Sequence, residues 1–249
     1  MEKVKIRPNW GTQLGRSKGG KATTKYFIEH PELARQCGFD IRKEINFPPK
    51  SEVLAEFIGI MLGDGSMSGN HQLRISFNYE TDLSYAKYIG GLLAELFGVE
   101  HRIQLKKDSR GADIVVGGSN LIEFLLSHGL ICGNKVKNQI DVPLWIKSNP
   151  EYTKACLRGL MDTDGGLYLH RYISSGKLYQ YLKMCFTNES KPLLRFVQGT
   201  LEGIKCRSSL RGRHVTIHAC SEISKYFALV GSKNPKNILK YNSYHSQRN

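Results

Sequence analysis

The chain has 249 residues, 36 Lys and Arg against 22 Asp and Glu, a net charge of +14 and a pI near 9.5. That length holds one large domain or two small ones around a real core, and the charge points to a polyanionic partner, nucleic acid before an acidic membrane surface. The six cysteines form no C-x-x-C pair, which argues against structural zinc and for a reducing compartment, the cytoplasm or an organellar matrix. No secretory signal opens the chain, and no run of about 18 apolar residues is present to span a bilayer, so no membrane association is expected.

Residues 1–50 form a basic N-terminal extension. Gly11, Gly15, Gly19 and Gly20 alternate with Arg16, Lys18, Lys21 and Lys25, the pattern of a flexible arm that follows phosphates. A short helix is expected from Thr24 to about Gln36, with Thr23 or Thr24 as its cap and Gly38 as its stop. Pro48-Pro49 closes the extension and Ser51 caps the next helix.

That helix is Leu54-Ala-Glu-Phe-Ile-Gly-Ile-Met-Leu-Gly-Asp-Gly65, an apolar run ending in an acid and a glycine. Next comes Leu73-Arg-Ile-Ser-Phe-Asn-Tyr79, which alternates strictly. Its odd positions read as buried and Arg74, Ser76 and Asn78 as the open face of a sheet. Glu80-Thr-Asp opens a helix to Phe97, stopped by Gly98. Strands near 100–107 and 112–117 flank a turn at Asp108–Gly111, and Ser119-Asn120 caps a helix that ends at Gly129. Residues 130–151 link this half to the next.

The order then repeats. Ala155-Cys-Leu-Arg-Gly-Leu-Met-Asp-Thr-Asp-Gly165 follows the first run 100 residues on. Leu182-Lys-Met-Cys-Phe-Thr187 matches Leu73–Asn78, and Ser221–Tyr226 matches Ser119–Phe124. The changing offset implies a longer first hairpin loop around His170–Lys177 and a shorter second one. The fold class is therefore α+β, two pseudo-symmetric αββαββα half-domains spanning 51–146 (with the linker) and 147–249.

Ala55, Gly59 and Gly63 lie at i, i+4 and i+8, and Ala155, Gly159 and Thr163 repeat that face. Faces without bulky side chains let two helices approach more closely than the usual 8–10 Å or so. If they pair, Asp64 and Asp164 stand side by side where both helices end. An acid there opposes the helix dipole, so two of them suggest a use other than stability. A hard divalent cation relieves their repulsion, and Mg²⁺ takes one or two carboxylates plus phosphate oxygens and water. Asp162 has no acidic counterpart, since Leu62 stands there, and reads as structural. The open sheet faces carry Arg74, Ser76 and Asn78 in one half and Lys183, Cys185 and Thr187 in the other, extended by Tyr179, Gln180 and Tyr181. Strand ribbons of this kind can read base edges in a DNA major groove.

The two acidic runs resemble the LAGLIDADG motif of homing endonucleases. Phe57–Gly65 is a looser copy and Leu157–Gly165 a close one, and the likeness extends over about residues 51 to 240. The resemblance implies the monomeric double-motif type, with LAGLIDADG helices packed together and antiparallel sheets forming a DNA-binding saddle. It implies site-specific double-strand cleavage of long DNA targets with short 3′ overhangs. Two or three divalent ions, Mg²⁺ by preference, would be shared between Asp64 and Asp164, with Gly63 and Thr163 completing the metal site. A start at Met1 without splicing flanks suggests a free-standing, intron-encoded enzyme. The family often has a lysine on the last strand of a repeat, yet 112–119 and 213–220 contain none, and Val115 and Ile217 fall near the place. His218, Lys106 and Lys183 are the basic groups left to substitute. The family often has Gln or Asn where the second strand meets the next helix, a location that Asn78 and Thr187 match. The absent lysine keeps a second reading open, a catalytically impaired nucleic-acid-binding protein such as a maturase bound to intron RNA or a DNA-binding regulator.

Overall fold

A computed structural model describes residues 11–38, 42, 44–69 and 71–246. The chain divides into two compact units, residues 1–43 and 44–249.

The first unit contains α1 (Gln13–Glu29) and α2 (Pro31–Gln36). The helix expected from Thr24 starts eleven residues earlier, because Thr12 supplies the cap, its Oγ1 accepting from Gly15 N at 3.1 Å. Thr23 and Thr24 do not cap; their hydroxyls donate back to Gly19 and Gly20 carbonyls at 3.0 and 2.9 Å. The glycine-rich stretch expected to be a flexible arm is thus helical from Gln13, and α1 carries no buried residue. Gly38, with φ of +66°, follows the end of α2 as a left-handed stop.

The second unit runs α3 (Glu52–Gly63), β1 (Gly65–Ser68), β2 (Gln72–Asn78), α4 (Leu83–Phe97), β3 (Arg102–Leu105), β4 (Gly111–Gly117), α5 (Ser119–Ser127) and α6 (Leu144–Lys147). It continues with α7 (Pro150–Thr163), β5 (Gly165–Ser174), β6 (Lys177–Thr187), α8 (Lys191–Gly203), β7 (Ser209–Arg211), β8 (His214–Ile217), α9 (Cys220–Leu229) and α10 (Pro235–Ser246). Two antiparallel four-stranded sheets have the equivalent orders β1-β2-β4-β3 and β5-β6-β8-β7. Helices α4 and α5 pack on the first sheet and α8 and α9 on the second. Each sheet therefore buries one face, with Leu73, Ile75, Leu182, Met184 and Phe186 inside and Phe77 partly so.

Local chemistry explains most boundaries. Ser51 Oγ accepts from Leu54 N at 3.2 Å and starts α3. Asn149 does the same for α7, accepting from Glu151 and Tyr152, with Pro150 at the first position. Gly98 ends α4 in the left-handed region. One expected cap fails: α5 begins after Gly118, and Ser119 is its first residue.

Two readings of the second half change. The longer hairpin loop is not a loop. Strands β5 and β6 pair over ten residues and turn at Ser175-Gly176, both with positive φ, a tight two-residue hairpin. The repeat is also offset differently. Gly65 pairs with Ile75 and Gly165 with Phe186, so Ser76 corresponds to Thr187 and Arg74 to Cys185. The sequence alignment stood two residues away. A slip of two keeps every side chain on its face, so the buried and open sets survive it.

Between α3 and α7, Glu56 is buried and receives Arg158 Nε and Nη2 at 2.9 and 2.5 Å, while Tyr88 donates to its other oxygen at 2.7 Å. Arg158 Nη1 also donates to the Val230 carbonyl at 3.0 Å. Arg158→Ala strands the Glu56 carboxylate and is expected to cost about 3–5 kcal/mol in urea unfolding. The double variant Glu56→Gln, Arg158→Met is expected to recover most of that loss.

Candidate functional site

The face of α3 with Ala55 and Gly59 lies against the face of α7 with Ala155 and Gly159. A Cβ on Gly59 would collide with the Cys156 carbonyl oxygen, and one on Gly159 with the Glu56 carbonyl oxygen. Ala55 and Ala155 are fully buried in this seam. At its end a Cβ on Gly63 would strike Thr163 and come within 3.5 Å of Asp164 Oδ2. Backbone contact of this kind brings the two helix ends together.

Asp64 and Asp164 are the C-caps of α3 and α7, their N–H groups donating to Ile60 and Leu160 carbonyls at 3.1 and 3.0 Å. The adjoining strands fix them from the other side, Ser76 N donating to Asp64 O and Thr187 N to Asp164 O, both at 3.1 Å. Burial and then the Asp164 charge push the Asp64 carboxyl up to about 7 against the pull of Lys135. Burial also raises Asp164, opposed by a hydrogen bond from Asn188 and by Lys135.

Two residues that the sequence did not single out stand in this site. Lys135, from the linker, donates its ammonium to the Leu62 carbonyl at 3.0 Å and, closer still, to the Gly63 carbonyl. It thus neutralises the end of α3 where Asp64 opposes the dipole, and its charge acts on both acids. Only its position ahead of the second motif hinted at it. Asn188 donates Nδ2 to Asp164 Oδ2 at 2.7 Å. The amide that holds Asp164 is thus Asn188, one residue after Thr187. Asn78 makes the matching turn, its Oδ1 accepting from Glu80 and Thr81 N at 3.0 and 3.3 Å.

The basic substitutes proposed from sequence divide. Lys106 reaches the first sheet's open face, 2.9 Å from Asp113 Oδ1 and 3.1 Å from Ser76 Oγ. Ser76 itself donates to Asp113 at 2.7 Å, and Arg74 lies 3.5 Å from the same carboxylate. His218 bonds Ser209 at 2.7 Å, and Lys183 stays half-buried on β6. In the second half, Thr187 pairs with His214 at 2.9 Å, with Cys185 beside them. Tyr179 and Tyr181 share the open face with Lys183, but Gln180 does not. It pairs with Arg171 on the helix-side face, because alternation turns it away from its neighbours.

A cavity of about 320 Å³ opens beside Asp64, lined also by Ser76, Asn78, Asp82, Asp162 and Lys236. Another of about 680 Å³ opens beside Asp164, lined by Tyr168, Cys185, Thr187, Arg211 and His214. Asp162, on the wall of the cavity beside Asp64, is committed to the chain ahead of α10. It accepts from Ser232 Oγ, Lys233 N and Asn234 N and anchors the start of α10, a structural role.

Among the described residues no three His, Cys, Asp or Glu side chains gather as metal ligands. Two carboxylates still fit Mg²⁺, which takes few protein ligands and completes its shell with phosphate and water. The Thr163 hydroxyl is spent on the Gly159 and Leu160 carbonyls, which leaves its own carbonyl as the donor it can offer, and Lys135 already occupies the Gly63 carbonyl. Among the described residues no helix is long and apolar enough to cross a membrane.

No protein-family profile matches the chain. A replication factor C small subunit from Methanocaldococcus jannaschii is 24% identical over 230 residues, 87% of this chain but 12% of that protein's length. The LAGLIDADG homing endonuclease I-LtrWI, solved bound to target DNA, superposes with a TM-score of 0.52 at 14% identity, covering 78% of this chain and 88% of that one. Full-length DUF199/WhiA from Thermatoga maritima gives 0.51 at 14% identity, over 82% of this chain and 63% of that one, so less than two thirds of its length is spanned. Meganuclease I-SmaMI, bound to uncleaveable DNA, gives 0.50 at 13% identity over 78% and 89%. With two antiparallel four-stranded sheets beside paired α3 and α7, the chain has the fold of the LAGLIDADG homing endonucleases.

Proposed function

We propose that the chain is a site-specific DNA endonuclease that acts as a monomer and hydrolyses phosphodiester bonds in both strands with divalent metal. The observation that carries this reading is the convergence of Asp64 and Asp164 at the joined ends of α3 and α7, with Lys135 between the chain's halves. Fold alone does not decide function. An acid pair brought together by glycine packing, with both carboxyls raised first by burial, opposes folding, which points to a use other than stability.

Asp64 and Asp164 would hold Mg²⁺, helped by the Thr163 carbonyl, since the Gly63 carbonyl already accepts from Lys135. The bound metal would supply an activated water and charge for the leaving oxygen. Asn188 fixes the Asp164 rotamer, and Lys135 offsets negative charge where a phosphate would approach. Arg74, Ser76, Asn78, Lys183, Cys185, Thr187, Tyr179 and Tyr181 are the proposed DNA contacts, with surplus Lys and Arg on phosphates. Gln180 faces the helix side of the sheet and makes no such contact. Lys135 answers the lysine gap that favoured a binding protein without cleavage, so the nuclease reading is preferred to a maturase or regulator.

The experiment is cleavage, with Mg²⁺, of duplex selected from a random pool on the immobilised protein. Lys135→Met is expected to slow cleavage about 10²-fold while leaving DNA binding and the circular dichroism spectrum in place. Unchanged cleavage by that variant would remove Lys135 from the site, and tight binding without cleavage in any divalent metal would restore the binding-protein reading.

A further inference from the structure

The two halves present unequal hairpins. Among the described residues β1 and β2 pair over four positions, whereas β5 and β6 pair over ten. At about 3.4 Å per residue, six more pairs carry the second hairpin roughly 20 Å further. The extension is not plain solvated ribbon. Tyr172 on β5 and Tyr179 and Tyr181 on β6 fall on the face shared with Lys183, away from the helices, with Tyr168 on the same face at the base of the extension. Tyr172 stacks on Tyr179 and Tyr181 with centroids 5.2 and 5.9 Å apart. The Lys177 ammonium stands 6.0 Å from the Tyr179 ring.

Tyr168, Tyr172 and Tyr181 remain 40–44% exposed, so they serve no core. No Asp or Glu occurs anywhere from Gly165 to Thr187, while His170, Arg171, Lys177 and Lys183 do. The short first hairpin carries Ser66, Ser68 and Gln72 instead, with no aromatic residue on its open face. A two-stranded ribbon fits the major groove, and an aromatic ladder stiffens a hairpin too long to hold itself straight.

We infer that the β5–β6 tip is an added reading arm, and that the DNA target is therefore asymmetric. The half-site on the Asp164 side extends about six base pairs beyond its counterpart, since 20 Å along the groove spans about six steps of 3.4 Å. Tyr172 and Tyr179 set the preference at the outermost of those positions. This rests on the DNA reading proposed above.

The test selects bound sequences from a random 40-base-pair duplex pool with the full chain in Ca²⁺, then maps cleavage in Mg²⁺ to mark the centre. The expected site carries sequence preference about six base pairs further on one side. Tyr172→Ser with Tyr179→Ser, both on the open face, should erase preference at those outer positions only and weaken binding about tenfold. Equal arms, or an unchanged outer preference in the double variant, would overturn the inference. An asymmetric site that is bound but never cut would support the arm and remove the nuclease. A symmetric site that is cut would do the reverse, and no enrichment of any sequence would overturn both.

Discussion

Gly59→Val is expected to unfold the second unit or to destabilise it by more than about 3 kcal/mol in urea titration. The reason is geometric. The atom that meets a new Cβ is the main-chain carbonyl oxygen of Cys156, part of a helix that cannot rotate away as a side chain would. Gly159→Val meets the Glu56 carbonyl oxygen in the same way, with Ile60 N at 2.9 Å. Gly199→Ala, on α8, is the control. Nothing lies within 4 Å of its Cβ, so the better helix propensity of alanine should leave stability equal or higher by up to about 1 kcal/mol. Equal tolerance at Gly59 and Gly199 would mean that the close seam is not required.

Asp64→Asn together with Asp164→Asn is expected to abolish cleavage, a loss above about 10³-fold, since several kcal/mol of metal-derived stabilisation would go with the carboxylates. The melting temperature should stay level or rise, because a buried repulsion disappears while Lys135 still caps the end of α3 and Asn188 still donates to the side chain at position 164. Loss of function without loss of stability separates a reactive pair from a structural one. Each single variant should fall between wild type and the double variant, measured as strand cuts per site.

Much of this fold could be read from the chain because its signals are local. The i, i+4, i+8 spacing of Ala55, Gly59 and Gly63 and its repetition in α7 require no knowledge of what comes between. Strand alternation at Leu73–Asn78 and Leu182–Thr187 separated inside from outside even though the two repeats were paired two residues out of step. What local pattern did not carry is registry and reach. The pattern points to Thr187 where Asn188 does the holding, a difference of one residue that only the folded strand end decides. Lys135 lies in a stretch with no hydrophobic period and meets carbonyls more than seventy residues earlier in the chain, so only the folded linker brings it to the acids. The helix over Gln13–Glu29 is hidden from the pattern for another reason. Gly15, Gly19 and Gly20 each cost a helix about 1 kcal/mol against alanine, and propensity argued for an open arm.

The question that matters most is whether Asp64 and Asp164 hold metal to cut DNA. The most direct measurement is product mapping on both strands of a selected duplex, with Mg²⁺, with Ca²⁺ and with chelator. One cut per strand, separated by a short 3′ overhang and present in Mg²⁺ alone, is the expected result. Cutting that persists in chelator or in the double asparagine variant would contradict a site built on these two carboxylates.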